Sequence, residues 1–422
     1  MTPSAQSRGF FPYEATLWND YMERLFGFGR GEERHMERLW TRSFILLSAG
    51  SLFLFTAFYL LVPTLPLYVK ELGGTESHVG LAVGLFTLTG VVLRPFIGGF
   101  LDRYGRRMFL ISGMAVFVLA MWLYNGVGGV LALLILRMFH GTGWAISTTA
   151  GGTVAADLIP ASRRGEGMGW FGMAMTVAMA VGPMLGVSVL ERGSFTGLFY
   201  LATALSAFSL LFFLIARIPD VRPGTARAFV FFDKSVLPVS IPTFFLAAAY
   251  GGVITYLPLF AESIRVNVGA FFLVFAAALT ASRPLAGKLA DRYGEGRVIV
   301  PMLMLTAVSL VVLCFSSGLA GIIASAILFG IGFGSAQPAM QAANLRLCPE
   351  DKRGVASASF MTAFDLGIGL GAMIMGWVSE QSSYETLFAV GAASVCVAVS
   401  TFAAWAGRLL TAEHRGVRHG NA

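Results

Sequence analysis

The sequence predicts an all-α membrane protein of twelve transmembrane helices arranged as two six-helix halves. Three observations predict it. Hydrophobic residues make up 56% of the 422 and charged residues 13%, with 36 Phe, so a water-soluble exterior cannot be assembled. A motif is written twice, RPFIGGFLDRYG from Arg94 to Gly105 and RPLAGKLADRYG from Arg283 to Gly294. The offset of 189 residues also relates Gly141 and Gly143 to Gly330 and Gly332, Pro160 to Pro349, and Arg164-Gly165 to Arg353-Gly354. A period this long in an apolar chain means duplicated membrane halves, because soluble repeat arrays have periods of roughly 20 to 50 residues. Finally, alternate loops differ in charge. With both termini inside, Lys70, Arg192 and Arg265 fall outside, Arg94, Arg137 and Arg283 fall within spans, and the other 24 of the 30 Lys and Arg are cytoplasmic.

A membrane-crossing helix needs about 20 mostly apolar residues. Such stretches start near Phe44, Val79, Met108, Val130, Gly167 and Phe195, and again near Val236, Val268, Val298, Leu319, Ala356 and Leu387. The expected organisation is a cytoplasmic extension over 1–42, a six-helix half over 43–217, a polar linker over 218–235, a second half over 236–410 and a tail over 411–422. In the extension no short apolar core with a small-residue cleavage site stands before the first span, so it does not read as a signal peptide. Leu17, Trp18, Tyr21, Met22 and Leu25 recur there at helical spacing, which predicts a helix lying at the membrane interface; a disordered tail is the alternative. Cys314, Cys348 and Cys396 lack metal-ligand spacing and read as packing residues, and no metal site is expected.

Gly98, Asp102, Arg103, Gly105, Arg106 and Arg107 form G-x-x-x-D-R-x-G-R-R between the second and third spans. A glycine there allows close helix approach, Asp102 offers an anion at a helix end, and the arginines supply fixed cations at the inner surface. With twelve spans and the half-chain repeat, this pattern resembles the major facilitator superfamily over nearly the whole chain. The resemblance implies that the loop is a cytoplasmic gate, a latch against the opposite half, in which Asp102 and Arg106 act with Asp157. The second copy, with Asp291, reads Glu295-Gly296-Arg297 in place of the paired arginines, which puts a second latch in doubt.

In the fourth span, LILRMFHGTG carries Arg137 and His140 and resembles the family's R-x-x-Q-G motif of proton-coupled members, with histidine replacing glutamine. An arginine at this depth is costly unless it faces protein or water, which predicts a role in the cavity; bracing of neighbouring helices through carbonyls is the alternative. In the fifth span, Gly169, Gly182, Pro183 and Gly186 resemble the antiporter motif, with Ala178 and Val187 replacing two glycines. The resemblance points to the twelve-span drug/proton antiporter branch.

Asp365 is the one acidic residue deep in a span, and with Arg137 and His140 it breaks the internal repeat, their counterparts being Thr176, Ala326 and Phe329. Symmetric residues serve a shared scaffold, so these asymmetric ionisable ones are the candidates for proton coupling. In the family fold that the sequence resembles, the second helix meets the eleventh across the interface between the halves; at about 1.5 Å per residue, Arg94 sits ~12 Å above Asp102 and Asp365 ~16 Å above Gly354, so the resemblance implies an ion pair between them that closes the cytoplasmic side. Tyr59, Tyr250, Tyr256, Gln337, Gln341 and Asn344 are the further candidates for a cavity. Amides and aromatics in an apolar cleft suit an amphiphile better than a sugar.

The expected function is secondary active transport, a proton-coupled efflux of an amphiphilic drug or metabolite by a multi-pass cell-membrane protein acting as a monomer. An uptake symporter and a transporter-derived sensor are the alternatives. No phosphate loop or paired-histidine metal motif occurs, so an enzyme is not expected. The expected energy source is the proton gradient, with no cofactor. The charge of +7 reads as inner-loop chemistry and gives no support to nucleic-acid binding.

Overall fold

A computed structural model describes residues 38–160, 163–218, 237–348 and 353–410. The expected interfacial helix at Leu17–Leu25, nearly all of the linker and the carboxy-terminal tail lie outside the described residues, as do the side chains of Asp102 and Asp291.

Among the described residues, twelve long helices cross the fold. The first half contains α1 (Arg42–Glu71), α2 (Glu76–Tyr104), α3 (Arg106–Leu123), α4 (Val130–Leu158), α5 (Arg164–Arg192) and α6 (Phe195–Ile215). The second contains α7 (Leu237–Ser263), α8 (Val268–Tyr293), α9 (Glu295–Cys314), α10 (Leu319–Arg346), α11 (Arg353–Gln381) and α12 (Tyr384–Thr401). All twelve are long and apolar enough to span a bilayer. Each starts within three residues of its sequence expectation, and most of the differences are earlier starts. Capping explains several of these, because Thr41 and Ser383 accept the orphan amides of Phe44 and Thr386, so those helices begin in a polar turn ahead of the apolar run.

The packing repeats with the sequence. In the first half α1 lies against α5 and α6, α4 against α2 and α3, and α3 against α6. In the second, α7 lies against α11 and α12, α10 against α8 and α9, and α9 against α12. The repeated glycines show why. A methyl group on Gly141 would sit 2.5 Å from the Phe86 carbonyl oxygen of α2, and one on Gly143 would sit 2.7 Å from the Phe117 amide of α3. Their counterparts Gly330 and Gly332 meet Phe275 of α8 and Met302 of α9 in the same way, each 2.8 Å from a carbonyl oxygen. Two bare faces on one helix thus let two neighbours approach backbone to backbone. Gly105 and Gly294, at φ 93° and 86°, make the same turn between consecutive helices in each half, a conformation disfavoured for any side chain.

The halves meet through α2 with α11, α5 with α8, and α1 with α7. The ends of the bundle can be told apart by charge. One end carries the turns at Gly105 and Gly294 with Arg103, Arg106, Arg107, Arg292 and Arg297, and is termed the basic end below.

Candidate functional site

The halves are joined at the end opposite the basic one. There the Glu380 carboxylate accepts hydrogen bonds from Thr75 Oγ1 at 3.0 Å and from the Ser77 amide at 3.1 Å, capping α2 from across the interface. Tyr256 Oη donates within reach of the Glu76 and Ala372 carbonyls at 3.0 and 2.9 Å, and Tyr384 Oη donates to Glu76 at 3.2 Å. Between α5 and α8, Asn267 Nδ2 donates to Glu191 at 2.7 Å. Gly80 and Gly84 of α2 press against Ala372 and Met373 of α11.

Toward the basic end these contacts stop. A methyl group on Gly98 of α2, on Gly169 or Gly172 of α5, or on Gly287 of α8 would meet nothing within 4 Å. The two halves therefore close over one end and stand apart at the other, with a cleft between them.

At mid-depth in that cleft Arg94 of α2 and Asp365 of α11 form an ion pair at 2.5 Å, each side chain about one-fifth exposed. The pairing is the one the sequence predicts, but its role differs, because the basic end stands open with the pair formed. The pseudo-symmetric contact is between Arg283 of α8 and the hydroxyl of Thr176 of α5. Tyr59 of α1 lies within electrostatic reach of both Arg283 and Asp365, and Tyr250 of α7 within reach of Tyr59 and Arg283. Tyr250 stacks on Phe333 at 4.2 Å, with Phe329 and Phe364 beyond it. Gln337 lies one turn from Phe333 on the same face of α10 and is half-buried, as is Gln341.

Several predicted residues lie elsewhere. Arg137 is 4% exposed inside the first half, where its Nε donates to the Ala82 carbonyl at 2.8 Å and its guanidinium lies 4.2 Å from the Phe86 ring centroid. His140 is fully buried among Phe86, Phe117 and Tyr124, with Nδ1 3.0 Å from the Tyr124 hydroxyl. These contacts tie α4 to α2 and to the turn after α3, the bracing alternative, and they keep both side chains out of the cleft. Asn344 is buried and donates to the Ala356 carbonyl at 2.8 Å, so it fastens α10 to the start of α11 instead of lining a cavity. Tyr256 belongs to the closed end, as its hydrogen bonds show.

At the basic end Arg106 pairs with Asp157 within the first half. Arg107 donates to the Leu214 carbonyl at 3.2 Å, and Arg103 lies 5.3 Å from the Tyr104 ring centroid. The second half reproduces this with the signs exchanged, since Glu295 and Arg346, which stand 189 residues after Arg106 and Asp157, pair at 2.8 Å. Each of these pairs lies within its own half, so the expected contact of Arg106 with Asp157 forms, but it does not latch one half to the other. Aligning residues 106 with 295 and 157 with 346 was the available signal. In α5, Gly182 and Gly186 face α1, and a methyl on Gly182 would sit 2.6 Å from Tyr59 Cβ. Pro183 lies inside the same helix.

Two pseudo-symmetric helical halves around a mid-membrane ionic site, closed at one end and parted at the other, define a membrane transporter. The chain belongs to the Major Facilitator Superfamily, whose family model matches residues 47–281 and again 265–420. Its members are transporters that take small-molecule substrates across the membrane, not enzymes. The chain is 25% identical over 366 residues to the staphylopine export protein of Staphylococcus aureus, covering 82% of this chain and 92% of that one. It is also 25% identical over 377 residues to the multidrug resistance protein MdtG of Serratia proteamaculans, covering 84% and 91%. Among solved structures, a variant of the nucleoside transporter NupG superposes with a TM-score of 0.72 at 16% identity, covering 86% of this chain and 99% of that one.

Proposed function

We propose that the protein exports amphiphilic small molecules in exchange for protons, by alternating access, with Asp365 as the residue that carries the proton. The observation that carries this reading is the Arg94–Asp365 pair, the ionic contact that joins the two halves at the depth of the cleft. The positive-inside rule places the basic end in the cytoplasm of a cell-membrane protein with both termini inside. In this frame the structure is open inward, with Asp365 ionised and held by Arg94. Substrate enters from the cytoplasm against Tyr59, Tyr250 and Gln337. The glycine faces of α2, α5 and α8 then meet, and the closed outer end parts. A proton arriving from outside neutralises Asp365 and frees Arg94; the protein returns inward, releases the proton to the higher internal pH and re-forms the pair. Export relatives, the antiporter pattern of α5 and the absence of a nucleotide-binding loop in the sequence support the direction and the energy source. Both halves of the site come from one chain, so a monomer is sufficient.

Proteoliposomes loaded with a panel of amphiphiles test the reading. An imposed proton gradient is expected to drive export by the wild type. Asp365→Asn is expected to keep substrate exchange and lose the response to the gradient. Gradient-driven export by Asp365→Asn at the wild-type level would overturn the assignment, and acceleration in the co-transport direction would identify a symporter.

A further inference from the structure

The internal repeat gives the cleft two arginines at equivalent places, and they are neutralised unequally. Arg94 faces a carboxylate, while Arg283 faces only the Thr176 hydroxyl and has no carboxylate partner among the described residues. Its Nε is buried without a hydrogen-bond partner. An arginine in a membrane-embedded cleft keeps its charge, and its planar donors match a carboxylate bidentately. The hydroxyls of Tyr59 and Tyr250 stand in the electrostatic field of this guanidinium, so the groups around it are neutral hydroxyls that leave its charge uncompensated. Tyr250 continues into an aromatic stack with Phe333 and Phe364, in which the first two rings are almost wholly buried and Phe364 is half-buried. A surplus positive charge beside an aromatic wall is complementary to a molecule with an anionic head and an apolar, planar body.

We propose that Arg283 is the substrate's anion anchor, so that the transported amphiphile carries a carboxylate or a similar acidic group, with Thr176 positioning the guanidinium and Phe364, the half-buried edge of the aromatic stack, receiving the apolar body. The proposal rests on the export reading for the word substrate, but not on proton coupling. It also gives the broken symmetry a purpose. Asp365 serves one arginine for coupling, and Thr176 leaves the other open for a ligand. A carboxylate at both places would leave no net charge to recognise an acid.

The test is equilibrium binding to purified protein in phosphatidylcholine nanodiscs, without any gradient. The probes are aromatic carboxylates of different bodies (2-naphthoate, biphenyl-4-carboxylate and indole-3-butyrate), each compared with its methyl ester. Wild type is expected to bind at least one acid about 10- to 100-fold more tightly than its ester, the range for one charge-assisted bidentate contact. Arg283→Ala should remove the difference, and Arg283→Lys should keep part of it. Thr176→Asp, which retains the arginine but gives it a protein carboxylate, should also remove it, with an unfolding midpoint in detergent at or above that of the wild type showing that the fold is intact. Adding phosphatidylglycerol distinguishes a lipid head group from a soluble acid as the natural anion: competition with the bound carboxylate would make the lipid the ligand of the same anchor. Equal binding of acids and esters by the wild type, or an acid preference that survives in both Arg283→Ala and Thr176→Asp, would overturn the proposal. Binding preference without gradient-driven export would instead sink the coupling mechanism and leave the anchor standing.

Discussion

Exchanging the charges of Arg106 and Asp157 should stabilise the first half. Arg106 is the first residue of α3 and Asp157 stands in the last turn of α4. Each therefore opposes its helix dipole, since an N-terminus favours anions and a C-terminus cations. The second half has the opposite polarity, with Glu295 opening α9 and Arg346 closing α10, so both charges there agree with their dipoles. A single charge at a helix end is worth about 0.3–1 kcal/mol, so reversing one from unfavourable to favourable is worth about 0.6–2 kcal/mol, and reversing both about 1–4 kcal/mol. Both side chains are less than one-quarter exposed, so solvent screening removes only part of this. Arg106→Glu alone sets two carboxylates face to face and should lower the unfolding midpoint in detergent. Adding Asp157→Arg should raise the midpoint above the wild type. Reconstituted transport then separates stability from function, since a stabilised but transport-poor double variant would show that the cation at position 106 serves the gate. A double variant no more stable than Arg106→Glu alone would refute the reasoning, because the second half would then not be a guide to what the first can accommodate.

The Arg94–Asp365 pair should behave as one unit. Arg94→Ala or Asp365→Ala strands a charge at a cost of about 3 kcal/mol, the low end for a buried pair because both side chains remain partly exposed, while the double variant should recover folding without proton coupling; additive losses in unfolding measurements would contradict this. Gly98→Leu has space in the open basic end and should leave folding intact while blocking closure there, seen as retained binding with lost transport. Gly182→Leu, by contrast, meets Tyr59 and Leu60 and should cost about 1–3 kcal/mol in stability; equal thermal stability of the two variants would refute the distinction. Tyr256→Phe removes the donor to the Glu76 and Ala372 carbonyls and should weaken closure at the end opposite the basic one by about 1 kcal/mol. Cysteine accessibility at that end should rise, and unchanged labelling would count against its part in the closure.

The fold was legible in the sequence because bilayer thickness fixes span length, and duplication writes the same packing requirement twice, as Gly141 and Gly330 show. Helix starts were less legible, since apolar runs do not report the capping turns at Thr41 and Ser383. The Arg94–Asp365 pair could be read because depth along a helix is countable from sequence and the family resemblance sets the second helix against the eleventh. What counting does not supply is the direction a side chain takes around the helix. Arg137 and His140 have the right depth for a cavity, yet they turn into the first half toward Ala82 and Tyr124. Asn344 turns toward Ala356 for the same reason. The reversed pair Glu295–Arg346 was hidden by matching residue types; the repeat preserves complementarity between two positions, and complementarity survives when both signs change.

The hydrogen bonds that hold the closed end have an energetic character of their own. Glu380, Asn267 and Glu191 stand at the rim in exposed contacts, where each protein partner can be exchanged for water. Such contacts are worth about 1 kcal/mol or less apiece in net terms, because the groups remain solvated when they separate. The rim is thus specific in geometry but shallow in free energy, and the buried contacts of Gly80, Gly84 and Tyr256 with α11 supply the rest of the closure. A two-state equilibrium moves from 1:99 to 99:1 with about 5.5 kcal/mol of differential affinity, a span that one bound molecule and one proton can supply together. A rim that stays solvated when it parts keeps the gap between the two states within that span.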